Sequence, residues 1–224
     1  MPKIKLSGQD LEKINSAVKD AESKTAGEIA AAFTKESDSY AVYELMFAVA
    51  GGFIYFIIMM FFTGRIEKII KNLSWEYNPD HLLIFYGLSI FLVIFIFYWL
   101  ANFAFIDRLI VPGSVMRRKV NERAVRHFME ARVYDTRDRT GILIFISQLE
   151  RRVELLADKG ISQKIPQEKW DSIVNHIVAG VKSGRLVQHL SESIAECGRL
   201  LAEHFPIQPD DVNELKDDIA VLEK

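Results

Sequence analysis

Two long apolar segments without a charged residue constrain this chain more than any other feature. The first runs from Leu45 to Phe62 and the second from Leu82 to Ile106. A helix needs about 20 predominantly apolar residues to cross the hydrocarbon core of a bilayer. Neither segment has a polar face to present to water, so a pair of buried helices in a soluble core is the weaker interpretation. The pattern predicts a two-helix transmembrane hairpin over residues 41–107.

The connection between the two segments has its own pattern. Apolar residues recur there at helical spacing with basic residues between them, and two aromatic residues typical of membrane interfaces follow. This connection is predicted to be either a short amphipathic helix on the membrane surface or an ordinary polar connector. The residues concerned are Arg65, Ile66, Lys68, Ile69, Ile70, Lys71, Leu73, Trp75 and Tyr77.

Basic residues near the apolar segments predict the orientation of the hairpin, because cytoplasmic loops carry the excess of lysine and arginine. The flanks carry more of them than the connecting loop does, so both flanks and both termini are expected in the cytoplasm. The basic stretch after the hairpin either binds anionic lipid headgroups or only sets this topology. The flanking residues are Lys24, Lys35, Arg108, Arg117, Arg118, Lys119, Arg123 and Arg126. Residues 1–41 lack the apolar run of a cleavable signal peptide.

The two flanks predict a single α/β domain that the hairpin interrupts. Residues 1–40 contain a helix capped by Ser7 with Asp10 in capping-box position, and then a strand over Glu28–Thr34. These two elements cannot form a core alone. Residues 108–206 supply the rest: a basic helix over residues 114–133, a buried strand over Gly141–Ser147 and a half-buried or edge strand over Arg151–Ala157. The turn between the two strands predicts that they form a hairpin. Two amphipathic helices follow. The first begins at Pro166 and ends at Gly184, and the second carries an apolar stripe from Leu186 to Phe205.

The C-terminal segment, residues 207–224, is acidic. Asp210 can cap a helix, and Val212, Leu215, Ile219 and Leu222 have helical spacing. The segment is predicted to be either a short amphipathic helix, docked on its own domain or on another subunit, or an unstructured tail.

Three stretches of the sequence resemble the TPM-domain family: Ala21–Phe33, Arg139–Pro166 and Leu200–Pro206. The match is most similar to a bacterial membrane branch with the hairpin inside the domain, which implies a bacterial inner-membrane protein. The resemblance implies a three-layer α/β/α sandwich and a divalent-ion site. For some plant members it also implies acid phosphatase activity, and for others a role in the assembly or modulation of membrane complexes.

Polar residues at the ends of the predicted strands are the candidates for chemistry. Phosphoryl transfer needs positive charge on the phosphate oxygens, and a divalent cation needs several oxygen ligands. The predicted catalytic residues are Glu28, Glu150, Arg152 and Asp158; the predicted ligands of calcium or magnesium are Glu28, Asp138 and Asp158, with Thr140 nearby. The alternative is a set of unrelated strand-end charges, with Glu150 and Arg152 in surface ion pairs of little energetic value.

Other reactive residues carry weaker signals. A solvated helix face explains His189, Glu192 and Glu196 better than a metal site does, and His176 is expected to be a surface or partly packed residue of its helix and not a ligand. Cys197 falls on an apolar stripe and is expected to be a buried, inert thiol. Phosphate-loop, zinc-protease and serine-hydrolase motifs are absent from the sequence.

Two functions from different classes remain open. The first is a membrane-tethered interaction module that acts in a membrane protein complex, with a membrane-protein partner or a second copy of the chain, and that binds a divalent ion. The alternative is a divalent-metal-dependent phosphatase, which requires the carboxylates to converge in one cleft. The net charge of −2 gives no reason to expect a nucleic-acid partner. A transporter is disfavoured, because neither span contains an ionisable residue.

Overall fold

The structure is a computed structural model and describes residues 6–73, 75–76, 78–208, 211–215 and 217–222. It divides the chain into two compact units. The α/β unit comprises Met1–Asp38 and Ser114–Lys224, and the hairpin unit comprises Ser39–Gly113. The sequence had placed these boundaries at residues 40 and 107.

The α/β unit is built around a four-stranded mixed sheet in the order β3-β2-β1-β4. Its strands are β1 (Glu28–Thr34), β2 (Gly141–Ser147), β3 (Arg152–Ala157) and β4 (Ala220–Leu222). Its helices are α1 (Gly8–Glu22), α6 (Gly113–Glu130), α7 (Lys159–Ser162), α8 (Gln167–Ser183) and α9 (Leu186–His204), with a 3₁₀ turn at Val133–Asp135. The strand β1 is parallel to β2 and β4, whereas β3 runs antiparallel to β2.

Side chains alternate between two cores on the faces of the sheet, as the period of a strand requires. Ile142, Ile144 and Ile146 face a core shared with α1, α8 and α9. Leu143 and Phe145 face a second core, with Val120 and Ala124 of α6. The predicted three-layer α/β/α sandwich is therefore confirmed.

Several local predictions hold because the sequence signals act over short distances. Ser7 and Asp10 form the capping box of α1. Gly184 ends α8 with a left-handed φ of 73°, which glycine adopts without steric cost. Cys197 is fully buried, and burial raises the pKa of its thiol to about 12, as expected of an inert cysteine.

The hairpin unit contains two long apolar helices. Its elements are α2 (Ala41–Phe61), α3 (Thr63–Leu73), α4 (Pro79–Ala101) and α5 (Ala104–Ile110). Both α2 and α4 are long and apolar enough to cross a membrane. The second apolar segment is not one continuous helix, because a break at Asn102 and Phe103 separates α4 from α5. The connection forms the helix α3, as the helical spacing of its apolar residues predicted; Tyr77 lies outside the described residues.

The two long helices of this unit pack closely at a pair of glycines. A Cβ atom added at Gly51 would lie 2.5 Å from the Phe97 ring, and one at Gly52 would lie 2.5 Å from Cγ1 of Ile94. Only a residue without a side chain permits this approach, so the sequence GG in α2 marks a helix–helix contact.

The helix predicted for the C-terminal segment is wrong for the residues that the structure describes. Ala220–Leu222 instead form β4, and Thr34 lies opposite Leu222 in parallel register with β1. The open edge of β1 offers unpaired backbone groups. Hydrogen bonding to them stabilises the C-terminal segment more than a helix of barely two heptads would. Asp210, the predicted cap, lies outside the described residues.

Candidate functional site

The topology of the sheet separates the predicted catalytic residues into two groups. Glu28 lies opposite Gly141, and the antiparallel β3 returns to the same end, where Ala157 lies opposite Ile142 and Asp158 follows. Arg152 lies opposite Ser147 at the other end, with Glu150 in the preceding turn. Strands of this length span about 20 Å at about 3.3 Å per residue. The four residues therefore do not form one site, and the expected convergence of Glu28, Glu150 and Asp158 is wrong.

Glu28 has a structural role at its end of the sheet. Its carboxylate accepts hydrogen bonds from the backbone amides of Glu214 at 3.0 Å and Leu215 at 3.3 Å. Burial raises the pKa of Glu28, while these two hydrogen bonds act in the opposite direction. The residue therefore fastens the C-terminal segment to the first strand.

The other predicted ligands at this end also have protein partners. Asp158 caps α7 by accepting from the Lys159 amide at 2.6 Å, and its second oxygen lies 3.9 Å from Nη1 of Arg139. Asp138 lies 3.8 Å from Nε of Arg137, and the Thr140 hydroxyl donates to the carbonyl oxygen of Ala26 at 3.0 Å. Within the described ranges, Glu28, Asp138 and Asp158 do not form a group with ligand atoms close enough to share an ion.

At the opposite end of the sheet, Glu150 forms a buried hydrogen-bonded group with two serines. Its carboxylate accepts from the backbone amide of Ser37 at 3.0 Å and from the hydroxyl of Ser147. The hydroxyl of Ser37 donates to that of Ser147 at 2.9 Å. All three residues are buried. The group joins the end of β2 to the segment that leads from β1 towards the hairpin.

A basic groove lies beside this group, along the outer strand β3. It has a volume of about 910 Å³. Its walls come from α6, the turn before β3, β3 itself and α8. The lining residues are Ser114, Arg117, Arg118, Asn121, Glu150, Arg151, Arg152, Val153, Glu154, Val174, Asn175, Val178 and Lys182. The contributions of α6 recur every three or four positions, so one face of that helix forms the wall.

Positive charge predominates in the basic groove. Five arginine or lysine side chains line it, against the carboxylates of Glu150 and Glu154. The Glu150 carboxylate is held by the buried serines. Burial raises the pKa of Glu154, against the opposing effects of Asn121, Arg152 and Arg117. The groove is therefore suited to an anionic ligand, because arginine guanidinium groups pair with carboxylates and phosphates through two parallel hydrogen bonds.

The sequence identified parts of the basic groove but not the whole. Arg152 was predicted as a catalytic residue, and Arg117 and Arg118 belong to the predicted basic stretch. Arg151 and Lys182 were missed. The edge position of β3 could have indicated these two residues, because an edge strand leaves room beside it for side chains from helices on both faces of the sheet.

Comparison with known proteins agrees with the fold. The family model of the TPM domain matches residues 107–199, which contain β2, β3, α7 and α8. The structure is similar to the NMR structure of BA42 protein from the psychrophilic bacterium Bizionia argentinensis, with 19% sequence identity and a TM-score of 0.57. That similarity covers 99% of this chain and 98% of BA42. No curated protein matches the chain.

The family match rests on the part of the chain after the hairpin, and the sheet adds the part before it. The strand β1 pairs with β2 along its whole length, from Glu28 opposite Gly141 to Thr34 opposite Ser147. The predicted resemblance to the TPM-domain family is thus confirmed for residues 107–199, and an apolar helical hairpin separates this part of the chain from the first strand of the same sheet.

Proposed function

We propose that this chain is a membrane-tethered interaction module whose TPM domain binds an acidic, extended segment of a partner membrane protein through the basic groove. The observation that carries the proposal is the position of that groove. It follows the outer strand of the sheet and is lined by five cationic side chains.

The tether is supported by the apolar surface of the hairpin unit. In the most apolar 18-residue stretch of each helix, only 11% of the residues of α2 and none of those of α4 are buried. Phe53, Phe61 and Phe91 are examples, with exposed fractions of 63%, 84% and 74%. Exposed apolar surfaces of this size mark sites that contact another protein or a membrane. A lipid bilayer would contact both helices along their full length.

The pairing of β1 with β2 supports the topology. If α2 and α4 cross the bilayer, the residues before and after the hairpin must be on one side, because they form one sheet. The excess of basic residues on these flanks favours the cytoplasmic side of a bacterial inner membrane.

The edge position of β3 favours an extended ligand. The other side of β3 pairs with β2, and within the described part of the chain its outer side has no strand neighbour. A peptide that adds to a sheet edge gains affinity from main-chain hydrogen bonds and specificity from side-chain pockets. Here Arg117, Arg152 and Lys182 would select acidic side chains.

The test uses the full chain, purified in detergent, and a fluorescent eight-residue peptide rich in glutamate. Anisotropy should show binding that weakens with salt, and a matched serine-asparagine peptide should not bind. Arg117→Glu and Arg152→Glu should each reduce the affinity at least about tenfold, because each reverses a charge beside the ligand.

Arg126→Glu is the matched control, since it makes the same charge change at an exposed position of α6 outside the groove. Equal losses in all three variants would reduce the effect to net charge and contradict the proposal. Binding to anionic lipid vesicles but not to the peptide would assign the groove to lipid headgroups instead.

The tether is tested by alkaline carbonate extraction of cell membranes. A protein held by two spanning helices stays in the membrane pellet, whereas release into the supernatant would contradict the tether. Cysteine labelling from each side of the membrane, at positions in the flanks and in the connection around Trp75, would test the orientation.

The phosphatase alternative loses its predicted site, because the register places Glu28 and Glu150 at opposite ends of the sheet. Its predicted ligands of calcium or magnesium, Glu28, Asp138 and Asp158, would have to move closer together to share an ion. It predicts metal-dependent hydrolysis of a phosphate ester that is lost in Asp158→Asn. Turnover with these properties would replace the interaction module as the function.

A further inference from the structure

Three metal-ligating side chains meet on the surface formed by α8 and α9. Among the described residues, His176, His189 and Glu192 form a group in which one ligand atom from each lies within 4.8 Å of the others. Nε2 of His176 is 2.8 Å from Oε2 of Glu192, and the two imidazole rings lie 4.4 Å apart at 33°. The sequence separated His176 from the other two, because it gave no register between the helices.

The protein fixes the tautomer of one imidazole in this group. Nδ1 of His189 lies 3.0 Å from the carbonyl oxygen of His176. A carbonyl only accepts, so Nδ1 must carry a proton, and in the neutral imidazole Nε2 is then left with a free lone pair. Histidine ligands of metals commonly donate their other ring N–H to a carbonyl in this way, which orients the ring.

A second hydrogen bond positions the carboxylate. Nε2 of Gln188 donates to Oε1 of Glu192 at 2.9 Å, while Oε2 faces His176. One oxygen is therefore held by a neighbour and the other lies among the potential ligands. These two contacts also lower the pKa of Glu192, which keeps the carboxylate charged.

Close packing of the two helices brings the group together. A Cβ atom at Gly180 would lie 2.5 Å from Cβ of His189. Gly180 therefore lets His189 approach the backbone of α8, one turn from His176 on the same face. An ordinary surface ion pair accounts for His176 and Glu192, but not for the oriented second imidazole that lies beside them.

We infer that His176, His189 and Glu192 form a binding site for a zinc-class divalent ion. Two imidazole nitrogens and one carboxylate oxygen suit zinc, whereas calcium and magnesium prefer oxygen ligands alone. Bonds of about 2.0–2.2 Å require the ligand atoms to close in by small side-chain rotations, which the exposed His176 and Glu192 permit. Three protein ligands leave a fourth position for water or for a group from a partner, and the ion links α8 to α9.

The test is a calorimetric titration of the full chain, without a histidine tag and stripped by chelator, with zinc, calcium and magnesium. We expect one zinc ion per chain and no binding of calcium or magnesium at this site. His176→Gln and His189→Gln should each weaken zinc binding by at least about tenfold, since even outer-sphere changes cost that much. Acidification should weaken it too, because protons compete for the imidazoles.

Cobalt substitution supplies a readout that folding alone would not give. Its visible absorption should indicate four-coordinate geometry with nitrogen and oxygen ligands, and should disappear in the His189→Gln variant. The matched control is His204→Gln, an exposed histidine of α9 outside the group, which should bind zinc like the parent. Absent zinc binding, or binding that survives both ligand variants or is lost equally in the control, would overturn the inference.

The site is separable from the proposed function. The two histidine variants should bind the glutamate-rich peptide as the parent does, because neither residue lines the basic groove. Failure of peptide binding with an intact zinc site would reject only the function, and the reverse result would reject only the metal site.

Discussion

Glu28 and Glu214 are joined by a 3.0 Å hydrogen bond from the backbone amide of Glu214 to the Glu28 carboxylate. The same carboxylate accepts from the Leu215 amide. A residue that the sequence proposed as a metal ligand thus organises the segment that precedes β4.

Replacement of this acceptor should loosen the C-terminal segment. Glu28→Ala leaves two partly buried amides without a partner, and we expect a loss of about 1–2 kcal/mol in the free energy of unfolding. Faster hydrogen exchange should appear at residues 211–222. Glu28→Gln retains an acceptor oxygen and should cause a smaller change. Unaltered exchange in Glu28→Ala would show that β4 pairing holds the segment without this contact.

The C-terminal segment also shows where sequence patterns are insufficient. Val212, Leu215, Ile219 and Leu222 fit a helical period, but their final positions depend on β1, which is remote in sequence. Leu222 pairs with Thr34, and Ile219 enters the core of α1, α8 and α9. Tertiary pairing overrides a local period when an open strand edge is available.

Glu22 should make stability depend on pH. Its Oε1 accepts from the Ile29 amide at 2.7 Å, and burial raises the pKa of the carboxyl to about 8, with repulsion from Glu28 and Asp217 adding to the effect. The folded state therefore holds a proton that the unfolded state releases above a pH of about 4.5. The stabilisation is complete below that pH and is lost as the pH rises towards about 8.

The measurement is the midpoint of thermal unfolding between pH 4.5 and 8 for the parent and for Glu22→Gln. The variant should show a flatter pH dependence, because glutamine keeps the acceptor and removes the titration. Glu12→Gln, an exposed position of the same helix, is the control and should follow the parent. A parallel decline in Glu22→Gln would assign the dependence to other groups.

The contact between α2 and α4 should be sensitive to side-chain volume. Gly51→Leu places atoms where the Phe97 ring lies, and we expect about 1–3 kcal/mol of destabilisation from overpacking. Gly87→Leu makes the same change in α4, where an added Cβ meets nothing within 4 Å. Thermal stability in one detergent should fall for the first variant only. Equal stability of the two would mean that the helices do not pack at Gly51.

The buried group around Glu150 should be important for stability. Glu150→Ala removes the acceptor of the Ser37 amide and of the Ser147 hydroxyl, and should cost about 2–3 kcal/mol because these donors are buried. Ser147→Ala removes the hydrogen bonds of this hydroxyl to Ser37 and Glu150 but leaves Glu150 as the acceptor of the Ser37 amide, and should cost only about 1 kcal/mol. Urea unfolding monitored by tryptophan fluorescence measures both. A loss in Ser147→Ala as large as that in Glu150→Ala would contradict this order.

The predicted strands and helices proved more reliable than the predicted site for a physical reason. Gly141–Ser147 is identified by continuous hydrophobicity, which is a local property. Which residues share an edge of the sheet depends on strand direction: β3 returns antiparallel to β2, as the predicted hairpin requires, so the residues before and after β3 lie at opposite ends of the sheet. Glu150 and Asp158 looked like neighbours in one site, although they flank opposite ends of the same strand.

The strand order determines when the sheet can form during translation. The strand β1 lies between β2 and β4, so its two neighbours are translated after the hairpin, and residue 220 emerges long after residue 34. At about 5–20 residues per second, that interval is on the order of ten to forty seconds. The whole hairpin is therefore synthesised before the sheet can close, and during this delay the first strand lacks both of the strands that flank it in the folded protein.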